Sequence, residues 1–269
     1  MTNHPITHRF EVELELPGSP DEVWQAIATP DGISSWMMPT DLEPREGGAL
    51  TFHMGPGAES RGHVTAFEPG RRIAYEEDWA TLVGQSGADV TPLVTEFMVE
   101  ARSGGTCVVR VVTSAFGTGA DWENEFWSEM SLGWAPMLDN LRLYMTHFRG
   151  RHATSLWASA TCAGSPGNAI ASVRDALGID GMIGEACVAR DLECRLERSM
   201  DRHFLLRAER PLTGMLSFFS YDSGEATTVQ LVGYLYGDDP ASYVAEEQQA
   251  WCDWLATVIA HTTADAATT

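Results

Sequence analysis

Few side chains in this sequence have the type and setting to do chemistry. Arg110 stands in the apolar run Thr106–Phe116, among Val108, Val109, Val111 and Val112. Pointed into a cavity, its guanidinium could anchor a carboxylate or enolate beside Glu96, with Tyr75 as a further group for steering proton transfer. Pointed outward, it pairs with an acid on a neighbouring strand and does nothing chemical. His53 and His63 could face each other on a hairpin whose loop is residues 54–62. A facing pair can hold zinc, but a third ligand at fixed spacing is missing, so no metal is expected. Ser114 lacks a Gly-x-Ser-x-Gly frame, and Gly55-Pro56-Gly57 lacks the Lys-Ser/Thr of a phosphate loop. Cys107, beside Val108 in mid-strand, reads as a structural thiol. No catalytic residue is assigned and no cofactor is expected.

These groups must be positioned by larger elements, and Asp121–Phe148 is the largest. The spacing predicts one helix about 40 Å long. Phe126, Met130, Trp134, Met137, Leu138, Leu141, Met145 and Phe148 recur three or four apart and line one face. Pro136 has no N–H for Leu132 and crowds its carbonyl, which predicts a kink or a restart. The stripe serves either as plain core or, in part, as the wall of an apolar cavity.

Ahead of it the chain reads as strand, two short helices, then a meander of strands. Residues 8–16, HRFEVELEL, alternate cleanly and predict a half-buried strand. Ser19-Pro20-Asp21-Glu22 carries a capping box with proline at the first helical position. Val23, Trp24 and Ile27 form that helix's buried face, and Ile33–Met37 forms a second, short helix. Strands follow around Leu50–Met54, Gly62–Phe67 and Arg72–Trp79, and Pro92–Arg102 with Thr106–Phe116 makes a hairpin about Ser103-Gly104-Gly105. The loop Ala80–Thr91 could gate a cavity mouth or be only a loop. A curved antiparallel sheet needs a cover for its apolar face, and only the long helix is long enough to supply it.

The runs PDEVWQAIATPDGISSWM, EGGALTFHM, GHVTAFEPGRRIAYEEDW, GGTCVVRVVTSAF and GWAPMLDNLRLYM, in that order, resemble the activator-of-heat-shock-protein-90-ATPase-homologue family. That family belongs to the SRPBCC (START/Bet v 1-like) superfamily. The likeness covers about residues 8–148, with Pro136 as a local departure. It implies an α+β helix-grip fold, a curved antiparallel sheet wrapped on a long C-terminal helix with a cavity between them. Members are similar to binders of lipids, polyketides and other apolar small molecules, and some relatives are cyclases or aromatases. The family shares no catalytic motif, so none is carried over. The candidate ligand-binding residues are Phe52, Tyr75, Trp79, Phe97, Arg110, Trp127, Met130, Trp134 and Met137. Large aromatics meeting across a curved sheet leave gaps, and methionine adapts to varied ligands.

After Arg149-Gly150-Arg151-His152 the order repeats in weaker form. Gly164-Ser165-Pro166 echoes Gly18-Ser19-Pro20. Five strand-like runs follow between residues 185 and 236, and a closing helix covers about 240–261. There Trp251, Leu255 and Val258 match the spacing of Trp134, Leu138 and Leu141. Two domains are expected, 1–148 and 149–269, the second either a degenerate helix-grip copy or an unrelated α+β unit. The tail 262–269 is small and polar and is expected to fray.

Composition bounds the partners. The chain has 269 residues, 44% hydrophobic and 20% charged, with 38 acidic residues against 17 basic ones and a net charge of −21. Such a surface repels phosphate backbones and anionic membranes, so neither nucleic acid nor membrane insertion is expected. The five cysteines show no CxxC and read as reduced thiols of a cytoplasmic protein. There is no signal-like apolar segment and no run of eighteen apolar residues. A homodimer is compatible with all of this. Three functions follow in order of preference: binding of a hydrophobic small molecule, a cyclase- or aromatase-like enzyme, and a co-chaperone-like interaction module.

Overall fold

The computed structural model describes residues 6–55, 57–85, 90–102, 104–223 and 226–266. Part of the possible gating loop (86–89), one residue of the expected hairpin turn (103) and the end of the tail (267–269) lie outside the described residues. The chain divides into two compact units, Met1–Gly150 and Arg151–Thr269.

The first unit opens with β1 (Ile6–Pro17) and then two short helices, α1 (Pro20–Ala28) and α2 (Pro30–Ser34). Ser19 caps α1 by accepting from the Glu22 N–H, while Glu22 reaches back to the Ser19 N–H at 2.8 Å. This is the reciprocal box that the sequence implies. Six more strands follow: β2 (Thr40–Leu42), β3 (Ala49–His53), β4 (Glu59–Glu68), β5 (Arg72–Glu77), β6 (Leu93–Ala101) and β7 (Thr106–Gly117). They form one antiparallel sheet in the order β1-β7-β6-β5-β4-β3-β2. The first strand therefore pairs with the last, and β4 carries a bulge between Val64 and Ala66.

Three elements escape the sequence pattern. The second helix, expected over Ile33–Met37, starts at Pro30 under a Thr29 cap and ends at Ser34. Three-residue β2 is too short to show alternation. Trp79 ends no strand but begins a one-turn helix, α3 (Trp79–Leu82), capped by Asp78. Asp78 accepts from the Thr81 N–H at 3.0 Å, so the cap ends the strand and opens a helical turn.

Helix α4 (Asp121–Leu143) covers the sheet. It continues through Pro136 with no restart, and the irregularity falls at its end, where Tyr144–Phe148 widen into a π-helical turn. Trp134 joins helix to sheet, edge-on to Phe97 of β6 at 6.0 Å and stacked on Phe10 of β1 at 6.5 Å.

The second unit repeats this connectivity with one strand fewer. It runs β8 (Thr154–Cys162), α5 (Pro166–Ala176), β9 (Ala186–Ala189), β10 (Leu192–Ser199), β11 (His203–Arg210), β12 (Thr213–Ser223), β13 (Ala226–Tyr236) and α6 (Pro240–Ala266). Its antiparallel sheet is ordered β8-β13-β12-β11-β10-β9, again first strand beside last. Ser165 caps α5 as Ser19 caps α1, by accepting from the Asn168 N–H. Trp251, Leu255 and Ile259 of α6 pack with Ile170, Phe204 and Phe218 in a dense core, and Val258 lies at its margin. Helix α6 extends to Ala266, well into the stretch expected to fray. Both units are α+β helix-grip folds.

Candidate functional site

Between the sheet and α4 of the first unit lies a cavity of about 310 Å³. Its wall is largely thioether and aromatic: Met37, Met38, Met54, Met130 and Met137, with Tyr75, Phe126 and Trp134. Strand alternation explains which sheet residues reach it. Tyr75 and Glu77 stand two apart on β5 and share its inner face, as do Leu93 and Thr95 on β6; Thr113 comes from β7. Thr95 and Thr113 are register partners, and their buried hydroxyls lie 3.3 Å apart. Helix α4 adds Phe126, Glu129, Met130, Gly133, Trp134 and Met137 at three- and four-residue spacing. Gly133 lines the cavity yet is exposed, and a Cβ there would meet nothing within 4 Å.

Of the nine candidate residues, Tyr75, Met130, Trp134 and Met137 stand at the cavity. Phe52 and Phe97 back it from behind, each in ring contact with Tyr75, at 5.4 and 6.3 Å. Trp79 and Trp127 do not line it. Trp79 packs on Trp122 and Phe126 and donates to the Thr91 carbonyl at 2.7 Å, and Trp127 lies against His8. Arg110 is a plain correction. It sits on the outer face, 3.4 Å from Glu11, with its guanidinium against the Met98 sulfur. Thr113 faces the cavity three positions away, and an odd offset on a strand puts Arg110 on the opposite side. Glu96 also faces outward, one position from Thr95, and pairs with Arg72.

His53 and His63 do not oppose each other. His53 is in register with Glu59 and lies 2.9 Å from Asp41, whereas His63 is in register with Ala49 and lies 3.5 Å from Glu76. Among the described residues no cluster of His, Cys, Asp or Glu is arranged to hold a metal. All five cysteines are unpaired. Burial pushes the Cys187 and Cys194 thiols up to about 11 and about 12, so they are poor nucleophiles. The seventeen basic residues are all arginines; without lysine the chain cannot form a lysine imine.

Among the lining residues that the sequence reading missed, Glu77 is the one with a strongly shifted carboxyl. Burial pushes its carboxyl up to about 7, and a hydrogen bond from the Ser60 hydroxyl only partly offsets this. Glu77 stays half-buried at the cavity, where its remaining surface meets whatever fills that space. Desolvation, with the nearby Glu77 charge, also holds the Tyr75 phenol well above its ordinary value. The signal was available, because Glu77 has the same strand parity as Tyr75.

A second carboxylate, Glu123, does structural work. It is fully buried at the start of α4 and accepts from the Thr118 N–H at 3.0 Å, the Thr118 hydroxyl at 2.6 Å and the Gly119 N–H at 2.8 Å. The His8 imidazole lies 3.6 Å away. This cluster fixes the helix end nearest Trp79 and so sets where Phe126 and Met130 meet the sheet.

Sheet, gripping helix and the apolar cavity between them give the first unit a helix-grip architecture. Residues 17–146, within the first unit, match the family described as Activator of Hsp90 ATPase homolog 1-like protein. Among curated proteins none matches the chain. Solved structures similar to it include a protein from Mesorhizobium loti, at 22% identity and TM-score 0.45, covering 52% of this chain and 98% of that one. DynU16, a putative protein in the dynemicin biosynthetic locus, is similar at 15% identity and TM-score 0.43, covering 96% and 99%. The di-domain ARO/CYC BexL from the BE-7585A biosynthetic pathway is similar at 13% and 0.43, covering 96% and 95%. No helix among the described residues is long and apolar enough to cross a membrane.

Proposed function

We propose that the first unit binds an apolar small molecule in the cavity between its sheet and α4. The cavity itself carries this reading. At about 310 Å³ it falls at the small end of the roughly 300–1,000 Å³ usual for such sites. Its wall combines adaptable methionines, rigid rings and a few convergent polar groups, the composition that accepts an apolar body and orients it. A solid core of the same fold would leave no reason to set five methionines around one space.

Gly133 supplies the test. A leucine there grows into open space rather than into a neighbour, and it removes a glycine from a helix interior, worth about 1 kcal/mol. Gly133→Leu should therefore fill the cavity without unfolding the protein. With full-length protein, Nile red should bind with a blue shift in emission, and native mass spectrometry of fresh preparations should show a co-purified apolar molecule. Gly133→Leu should lose both while its melting temperature stays equal or rises. Dye binding that is absent from the wild type, or unchanged in Gly133→Leu, defeats the reading.

A further inference from the structure

We infer that the cavity selects a hydrophobic amine, holding the apolar body against the methionine and aromatic wall and the protonated nitrogen at the Glu77 carboxylate. The inference rests on the cavity reading above and adds the chemical class of the ligand. Three observations carry it. Among the described residues the ionisable groups lining the cavity are Glu77 and Tyr75 from β5 and Glu129 from α4, with no arginine or histidine, and the chain has no lysine. Every ionisable lining group is thus neutral or negative, and an anionic ligand would meet only like charge. Glu77 has one side-chain hydrogen-bond partner among the described residues, the Ser60 hydroxyl from β4, which leaves acceptor capacity beside the cavity. The remaining wall suits a cation as well, since the Tyr75 and Trp134 rings attract an ammonium group through their faces.

What faces Glu77 sets the pH dependence. Its neighbouring strands present the Ser60 hydroxyl and Leu93, α4 presents Glu129, the segment after α2 presents Met37 and Met38, and Tyr75 lies on its own strand. Among the described residues no cation opposes it, so the carboxyl takes up a proton near neutrality. The amine's advantage should therefore grow as pH rises through that range.

Calorimetric titration of the full chain with three matched probes tests this: 4-phenylbutylamine, 4-phenylbutanol and 4-phenylbutyrate. At pH 8 the amine should bind about tenfold or more tighter than the alcohol, and the carboxylate weakest, as expected where a buried charge gains a partner. At pH 5.5 the amine's lead should shrink to about threefold or less, and Glu77→Gln should remove it at pH 8. An alcohol that binds as tightly as the amine at pH 8 overturns the amine assignment while leaving the cavity reading intact. A preference that survives Glu77→Gln but disappears in Glu129→Gln overturns the role given to Glu77. Failure of all three probes defeats the cavity reading itself. The pH series needs only wild-type protein, so it decides the matter even if a variant misfolds.

Discussion

Trp134 of α4 meets Phe97 of β6 edge-on, with ring centroids 6.0 Å apart and planes inclined at 64°. This contact closes the helix onto the sheet, and Trp134 is also part of the cavity wall. One side chain therefore serves both the grip and the cavity.

Trp134→Ala should destabilise the first unit and enlarge the cavity together. A buried tryptophan costs about 3–5 kcal/mol on truncation; Trp134 borders empty space on one side, so the lower end is expected. Nile red affinity, compared well below the unfolding temperature, should change more than in Trp251→Ala, whose side chain lies in the second unit's dense core. Equal effects of the two changes on dye binding would separate Trp134 from the site.

The Glu123 cluster gives a second test. Removing the carboxylate in Glu123→Ala leaves the backbone N–H groups of Thr118 and Gly119 without their acceptor, which should cost roughly 2–4 kcal/mol. Gly117 guards the same carboxylate, because a Cβ there would lie 2.0 Å from the Glu123 Oε2. Gly117→Ala should therefore lower the melting temperature by a similar amount, although alanine is ordinarily tolerated in strands. A Gly117→Ala melting temperature equal to wild type would show that Glu123 yields freely.

The grip itself was legible in the sequence. Alternation in HRFEVELEL, the Ser19 capping box and the three–four spacing through Trp134 and Leu138 each report a local rule that the tertiary structure obeys. The site was only half legible. Arg110 and Glu96 drew attention through their charge, yet parity with Thr113 and Thr95 places both on the outer face. Glu77 was overlooked although it shares the parity of Tyr75. Met37 and Met38 had no periodic signal, because they reach the cavity from the turn after α2. Trp79 was placed at the end of a strand, whereas the Asp78 cap turns the chain into α3. Pairing geometry across strands, which a linear pattern does not contain, separated His53 from His63.

In the second unit, His203 should make stability acid-sensitive. Its ring is buried, with Nε2 3.2 Å from the Ser217 hydroxyl, and burial, aided by the Arg198 charge, pushes its titration down to about 4 from the ordinary 6.5. Between those values the unfolded chain holds a proton that the folded one refuses. Stability from this group is therefore full above pH 6.5 and is lost as pH falls toward 4. Urea titrations at pH 7 and 4.5 should show that His203→Gln removes up to roughly 3 kcal/mol of this acid loss. An identical acid loss in both proteins would mean that the folded ring titrates normally.

Glu77 should behave with the opposite sign. Its carboxyl titrates at about 7 in the folded protein against the ordinary 4.5. Between those values the folded state holds a proton that the unfolded chain releases, so the stability tied to it is full below pH 4.5 and is lost as pH rises through 7. The penalty above pH 7 is at most roughly 3 kcal/mol, reduced by whatever water enters the cavity. Glu77→Gln keeps the shape and the hydrogen bond with Ser60 but carries no charge at any pH. Its melting temperature should match wild type near pH 4.5 and exceed it by several degrees at pH 8. The same experiment with 4-phenylbutylamine present should shrink that gap at pH 8, because the bound ammonium stabilises the wild-type carboxylate and has no partner in the variant. A gap that stays flat from pH 4.5 to 8 would show that Glu77 ionises as an ordinary solvated carboxylate.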